Sequence, residues 1–175
     1  MRFDNPRAKV KLADTLTRPK GPGPFTAVLL VAGSGPLTRD EIVFDHRVFL
    51  PLSDYLTRRG LAVLRYDKRG VAWPRFFLTH SPVPALEKVR CPVLALSGGK
   101  DLLVPSKDNL RGIARALAVS GNTDFVIREM PGLNHLFQHC QTGAESEYAK
   151  SEETMSPEVL QIVGDWILQH VKPSP

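Results

Sequence analysis

The chain has 175 residues, enough for one domain with a substantial buried core. Its composition, 42% hydrophobic and 23% charged, is typical of a soluble globular protein. The net charge is +5, but the basic residues are scattered rather than gathered in a stripe, which argues against a nucleic-acid partner. The longest apolar stretch, residues 25–33, is too short for a membrane span, and no signal peptide is visible. We therefore expect a cytoplasmic protein without a membrane partner.

The first part of the chain predicts strands on either side of a helix. Residues 7–18 alternate imperfectly between apolar and polar side chains, which predicts a strand. The apolar run at 25–31 predicts a strand that is buried on both faces, followed by the glycine loop of residues 32–36. Residues 49–59 predict a helix that ends at Gly60, and residues 61–67 predict another strand. Together they predict a βαβ unit with a right-handed crossover.

The second part of the chain repeats the alternation of strand and helix. Residues 71–90, rich in prolines, predict a loop with one short helical turn. A strand and glycine loop follow at 91–101, then a helix at 106–119, a strand within 123–132 and a last helix at 157–171. This order predicts an α/β fold with a mostly parallel open sheet and flanking helices. Because ligands bind beyond the carboxyl ends of such strands, the candidates are Ser34, Asp67, Asp101 and His135.

Four segments resemble the α/β-hydrolase superfamily, in particular its esterase and prolyl-oligopeptidase-like branch. They are VLLVAGSGPLTRDE (28–41), LAVLRYDKRGV (61–71), CPVLALSGGKDLLVP (91–105) and PGLNHLF (131–137). The family's G-x-S-x-G nucleophile motif should follow the second segment, yet none of Ser34, Ser81 and Ser97 satisfies this motif. The resemblance therefore implies one truncated α/β-hydrolase domain over residues 1–175, with the nucleophile and lid segments deleted.

The resemblance also assigns two members of a catalytic triad. Acyl transfer requires a nucleophile, a base that removes its proton and a group that orients the base. The family histidine falls on His135 and the family acid on Asp101. Imidazole is suited to the base because it exchanges protons near neutral pH.

The role of the loop at residues 32–36 stays open. Its backbone N–H groups, at Gly33 and Gly35, could form the family's oxyanion hole, while Ser34 could replace the missing nucleophile. The same residues are also common in a simple tight turn. His46 matches a family position near the acyl pocket, and an exposed loop histidine is the alternative.

Two functions follow as hypotheses. The first is a carboxylesterase-type serine hydrolase that acts on small, short acyl esters; the second is an inactive remnant that serves as an oligomeric ligand-binding or structural protein. We expect no metal and no cofactor, because H-E-x-x-H, G-x-G-x-x-G and P-loop motifs are missing. Loss of the central strands would strip one sheet face of its helices, which predicts a homo-oligomer.

Overall fold

The computed structural model of the chain describes residues 2–5, 10–33, 37–67 and 81–171. Two compact units are present: unit 1 contains Met1–Trp73 and Leu160–Pro175, and unit 2 contains Pro74–Val159. The single domain over residues 1–175 stays a prediction. In chain order the elements are β1 (Arg2–Asn5), β2 (Val10–Thr17), β3 (Ala27–Leu30), β4 (Ile42–Val43), β5 (His46–Arg47), α1 (Phe49–Arg58), β6 (Ala62–Tyr66), α2 (Val83–Leu86), β7 (Val93–Gly98), α3 (Ser106–Val119), β8 (Phe125–Met130), α4 (Glu145–Tyr148) and α5 (Pro157–His170).

The α/β content is mixed, and the sheets are small and open. Unit 1 holds a four-stranded sheet in the order β1-β2-β6-β3 and the short hairpin β4–β5, and unit 2 holds the pair β7–β8. Among the described pairings, β3–β6 and β7–β8 are parallel, whereas β1–β2, β2–β6 and β4–β5 are antiparallel. The expectation of a mostly parallel sheet is therefore not confirmed. Strands joined by short connections, such as β4 and β5, can pair only antiparallel.

The core of unit 1 lies between its sheet and the helices α1 and α5. Leu56, Leu61 and Val63 are almost completely buried. Around them pack partly buried side chains from β3, α1 and α5: Val28, Leu30, Leu52, Tyr55, Ile167 and Leu168. Gly60 ends α1 with a φ of +91°, a conformation that glycine adopts without steric cost. The predicted βαβ unit is therefore present as β3, α1 and β6.

The opposite face of this sheet carries exposed leucines. Leu16, Leu64 and Leu29 are register partners across β2, β6 and β3, so their side chains share one face. Leu29 is 55% exposed and Leu16 is 42% exposed. The prediction that the strand at residues 25–31 is buried on both faces is thus wrong, because exposure alternates along β3.

Unit 2 is built around the parallel strands β7 and β8, which α3 connects and packs against. Leu110, Ala116 and Leu117 are the buried apolar residues of α3. The bounds of α3 agree with the predicted helix at 106–119, and the short α2 lies in the segment predicted as a loop with one helical turn. Among the described helices, none is long and apolar enough to cross a membrane.

Candidate functional site

Asp101 and His135 are in direct contact in unit 2. Asp101 follows β7 and His135 follows β8, and neighbouring parallel strands bring their carboxyl ends to one edge of the sheet. The Asp101 Oδ2 and His135 Nδ1 atoms are 2.8 Å apart, a hydrogen-bonding distance. The Asp101 side chain is 6% exposed and the His135 side chain 38%. The arrangement is a buried carboxylate that orients an accessible imidazole.

The second oxygen of Asp101 is also held. Its Oδ1 atom accepts hydrogen bonds from the backbone N–H groups of Leu103 at 2.9 Å and Val104 at 2.8 Å. Because both carboxylate oxygens have partners, rotating the group would break hydrogen bonds on each side. The carboxylate is therefore fixed in the orientation that meets His135.

Glycines let two loops approach each other closely: the acid loop, which follows β7 and carries Asp101, and the histidine loop, which follows β8 and carries His135. The Gly99 N–H donates to the Met130 carbonyl at 2.8 Å, and the Lys100 N–H donates to the Leu133 carbonyl at 2.9 Å. A Cβ atom on Gly98 would lie 2.3 Å from the Asn134 carbonyl oxygen, so any side chain there would push the loops apart. The double glycine of the SGGKD segment thus places Asp101 beside the histidine loop, residues 131–140.

A buried amide pair stabilises the histidine loop from within. The Asn134 Oδ1 atom accepts the backbone N–H groups of Leu136 at 2.9 Å and Gln138 at 3.0 Å. The Asn134 Nδ2 group donates to the Gln138 Oε1 atom at 2.8 Å, and Gln138 Nε2 donates to the Glu153 carbonyl at 2.8 Å. Asn134 is 1% exposed and Gln138 is fully buried. Since Asn134 directly precedes His135, this network fixes the backbone that carries the imidazole.

The segment after the histidine loop is held to the acid loop and to α4. The Lys100 Nζ group donates to the carbonyls of Cys140 at 3.0 Å and Gln141 at 2.6 Å. The Glu147 carboxylate accepts the Thr142 hydroxyl at 2.7 Å and the backbone N–H groups of residues 141–143. The hydrogen bond from the Thr142 hydroxyl, and then those from the backbone, lower the pKa of Glu147.

Tyr148 is buried beside the dyad, and Cys140 is partly buried. Tyr148 is completely buried, which raises the pKa of its phenol; the backbone of His135 lowers it, and the charge of Asp101 raises it. Tyr148 therefore stays protonated as part of the packing beside the dyad. Burial also raises the pKa of the Cys140 thiol, which donates to the Gly132 carbonyl at 3.4 Å, so Cys140 is poorly suited to act as a nucleophile.

A second histidine and carboxylate pair lies close in sequence. The His139 Nδ1 and Glu153 Oε2 atoms are 2.9 Å apart. However, the His139 side chain is 68% exposed and that of Glu153 is 27% exposed. The Asp101–His135 pair is better shielded from water, so its carboxylate orients the imidazole more strongly.

The remaining predicted site residues belong to unit 1. The Gly33 N–H donates to the Glu41 Oε1 atom at 3.0 Å. Ser34 and Gly35 lie outside the described residues. His46 is buried in the β4–β5 hairpin rather than exposed on a loop. The roles proposed for these four residues stay predictions.

Asp67, a candidate because it follows a predicted strand, forms an ion pair with Arg39 at the end of β6. The Asp67 carboxylate binds the guanidinium of Arg39, with Oδ1 accepting from Nε at 3.0 Å and Oδ2 from Nη2 at 2.9 Å. This fork of two hydrogen bonds ties the loop after β3 to the end of β6.

Sequence reasoning missed the residues that support the dyad: Lys100, Asn134, Gln138 and Tyr148. One signal for Asn134 and Gln138 was present. Both are polar and flank His135 in a loop whose leucines, Leu133 and Leu136, are buried. Within the described residues, no three His, Cys, Asp or Glu side chains lie together as a possible metal site.

Part of this chain is similar to a known protein. No protein-family model matches it. A stretch of 58 residues is 47% identical to the esterase EstD of Thermotoga maritima. The match covers 33% of this chain and 14% of EstD, so the chain spans only a small part of that relative's length. The chain is therefore similar to an esterase over a short stretch.

Proposed function

We propose that this chain is a shortened α/β-hydrolase of the esterase branch that hydrolyses small carboxylic esters with short acyl chains. The observation that carries the proposal is the 2.8 Å contact between the buried Asp101 carboxylate and the accessible His135 imidazole. This is the geometry that a general base requires, with one ring nitrogen held by a carboxylate. The partial similarity to the esterase EstD supports an ester as the substrate class.

In the proposed mechanism the two ring nitrogens of His135 have different roles. Nδ1–H donates to Asp101, which leaves the Nε2 lone pair for proton transfer. Nε2 takes the proton of the nucleophilic hydroxyl while the oxygen of that hydroxyl bonds to the ester carbonyl carbon; Ser34 stays the residue predicted for this role. The alcohol then leaves with the proton from Nε2, and water hydrolyses the acyl-enzyme by the same steps. Asp101 stabilises the imidazolium that forms in each half of the reaction.

The proposal is tested by the hydrolysis of p-nitrophenyl acetate. We expect His135→Gln and Asp101→Asn to lower kcat by about 10³- to 10⁴-fold, because each removes the base or its correct tautomer. His139→Gln is the matched control, since it also removes a histidine paired with a carboxylate and should leave the rate unchanged. Equal rates for wild type and His135→Gln would refute the assignment.

The nucleophile is tested separately. A fluorophosphonate forms a covalent bond with an activated serine, and mass spectrometry of the labelled protein locates it. We expect the label on Ser34 in the wild type and no label in Ser34→Ala. A label on Ser97 would identify this residue of β7 as the nucleophile and contradict the proposed role of Ser34.

One observation favours the second function, an inactive remnant that binds ligands. The Gly33 N–H, a proposed oxyanion donor, is bonded to the Glu41 carboxylate at 3.0 Å. A carboxylate there would repel the negative charge that develops in ester hydrolysis. If the wild type hydrolyses p-nitrophenyl acetate and Glu41→Gln does so faster, Glu41 lowers the rate of hydrolysis but does not abolish it, and the esterase function is supported. If both proteins lack activity but bind short carboxylates, the remnant function is supported.

A further inference from the structure

A segment that follows α4 binds the far end of the histidine loop. Residues 151–156, here called the tether, lie in unit 2 together with this loop. The Glu153 Oε2 atom accepts two hydrogen bonds from His139, one from its backbone N–H at 2.8 Å and one from Nδ1 at 2.9 Å. The Ser156 N–H donates to the Phe137 carbonyl at 2.8 Å. The tether therefore fixes the backbone of the loop at two nearby positions.

A continuous chain of hydrogen bonds also connects Glu153 to the residue before His135. The Glu153 carbonyl accepts the Gln138 Nε2 group at 2.8 Å, and the Gln138 Oε1 atom accepts the Asn134 Nδ2 group at 2.8 Å. Because Asn134 is covalently bonded to His135, a displacement of Glu153 moves the backbone that carries the imidazole. Ser151 fixes Glu153 in turn, since its hydroxyl donates to the Glu153 carbonyl at 3.1 Å and accepts the Glu153 N–H at 3.2 Å.

The backbone of the histidine loop is strained between these contacts. Phe137 has a φ of +61°, in the left-handed region that costs free energy for residues other than glycine. Such a conformation persists only where neighbouring contacts determine it, and it is common at functional sites. The contacts here are the hydrogen bond from the Phe137 N–H to the Asn134 carbonyl at 3.0 Å and the one from Ser156. Without the tether, the Phe137 backbone would relax and displace His135, two residues before it.

We propose that Glu153 is a positioning residue for the base, His135. None of the hydrogen bonds described for Glu153 reaches His135 or Asp101 directly, so Glu153 acts through the backbone of the histidine loop. The inference rests on the proposed function and adds to it a residue that sets the orientation of the base. The His139–Glu153 pair is then an anchor for the loop and not a second dyad. Because one of its two hydrogen bonds comes from the backbone N–H of residue 139, His139→Gln keeps this anchor.

The kinetic test compares Glu153→Ala with Glu152→Ala, its matched control. Glu152 is an exposed glutamate of the tether, so its replacement removes the same charge from the same segment. We expect Glu153→Ala to lower kcat for p-nitrophenyl acetate by about 10- to 100-fold with an unchanged KM, because the base is misplaced while substrate binding is not. Glu152→Ala should keep the wild-type kcat. So should Glu153→Gln, which retains an acceptor oxygen for the His139 N–H.

A spectroscopic readout that needs no substrate separates the inference from the proposed function. The hydrogen bond to Asp101 at 2.8 Å favours the His135 tautomer with the proton on Nδ1, which the ¹⁵N NMR shifts of the ring nitrogens report. Glu153→Ala should lose this preference, whereas Glu152→Ala should keep it. If the wild type hydrolyses no ester but the tautomer changes in Glu153→Ala alone, the esterase proposal fails and the positioning role is supported.

Two results would overturn the inference. One is a Glu153→Ala protein with the wild-type tautomer and the kcat of Glu152→Ala. The other is a lower free energy of unfolding in urea with an unchanged tautomer, because Glu153 would then only stabilise the fold. If Glu153→Ala does not fold, Glu153→Asp takes its place, since it keeps the charge but withdraws the carboxylate from His139 by one methylene. A folded Glu153→Asp with the wild-type tautomer and kcat contradicts the proposal in the same way.

Discussion

The substitution Gly98→Ala should separate the acid loop from the histidine loop. The added Cβ atom would lie 2.3 Å from the Asn134 carbonyl oxygen and 2.5 Å from that of Leu133. Both atoms belong to the backbone, so neither can move aside as a flexible side chain would. Since non-bonded atoms pack at about 3.5 Å, the loops must separate by about 1 Å. The 2.8 Å contact between Asp101 and His135 would then exceed hydrogen-bonding distance.

The expected magnitudes follow from this displacement. Overpacking of a well-packed site costs about 2 kcal/mol of the free energy of unfolding, which lowers the Tm of a chain of this size by about 6 °C. A misplacement of about 1 Å at a catalytic group lowers the rate of ester hydrolysis by about 100-fold. Thermal denaturation and p-nitrophenyl acetate hydrolysis measure the two effects.

Gly99→Ala provides the matched control. Its nearest neighbours would be 3.3 Å away, so only small adjustments are needed. We expect Gly99→Ala to remain close to the wild type in both assays. If Gly98→Ala and Gly99→Ala have the same Tm and the same activity, the close backbone approach does not hold the dyad together, and the argument is refuted.

Three further predictions concern other parts of the two units. Asn134→Ala leaves two buried backbone N–H groups without an acceptor and should lower the free energy of unfolding by about 3 kcal/mol, as measured by urea denaturation; an unchanged midpoint would contradict this. Glu147 has a lowered pKa when folded, so its charge stabilises the protein above the ordinary glutamate pKa, and this contribution is lost as the pH falls through the lowered value. The Tm of Glu147→Gln should therefore be below that of the wild type at pH 7 and equal to it at strongly acid pH; a constant difference would argue against the linkage. Light scattering should show a wild-type oligomer that Leu29→Lys, but not Val119→Lys, converts to a monomer, and a monomeric wild type would end the oligomer hypothesis.

The sequence predicted the elements of this chain better than their assembly. Local patterns determine helices such as Ser106–Val119, whose bounds agree with the prediction, because apolar spacing and flanking residues act within a few turns. The prediction that β3 is buried on both faces was wrong, since Leu29 is exposed. An apolar run shows that both faces of a strand are apolar, but it does not show whether another element covers each face. Strand direction also depends on contacts distant in sequence, which no local pattern contains.

The candidate site shows the same difference between what local sequence patterns predict and what depends on contacts distant in sequence. Asp101 and His135 could be selected because each follows a predicted strand and matches a family segment. Their mutual contact depends on a glycine at position 98. This requirement becomes clear only in the structure, where the Asn134 carbonyl leaves no space for a Cβ atom on Gly98. The hydrogen-bond partners of Gln138 could not be predicted either, since one of them is the carbonyl of Glu153, 15 residues away in sequence.

The hydrogen bonds that support the Asp101–His135 pair have a genetic consequence. The partners described for the two side chains and for their loops come from residues 98–156, one uninterrupted part of the chain. An insertion or loss of coding sequence before this part removes none of these hydrogen bonds. Selection could therefore alter the preceding part of the chain while the Asp101–His135 pair is inherited unchanged.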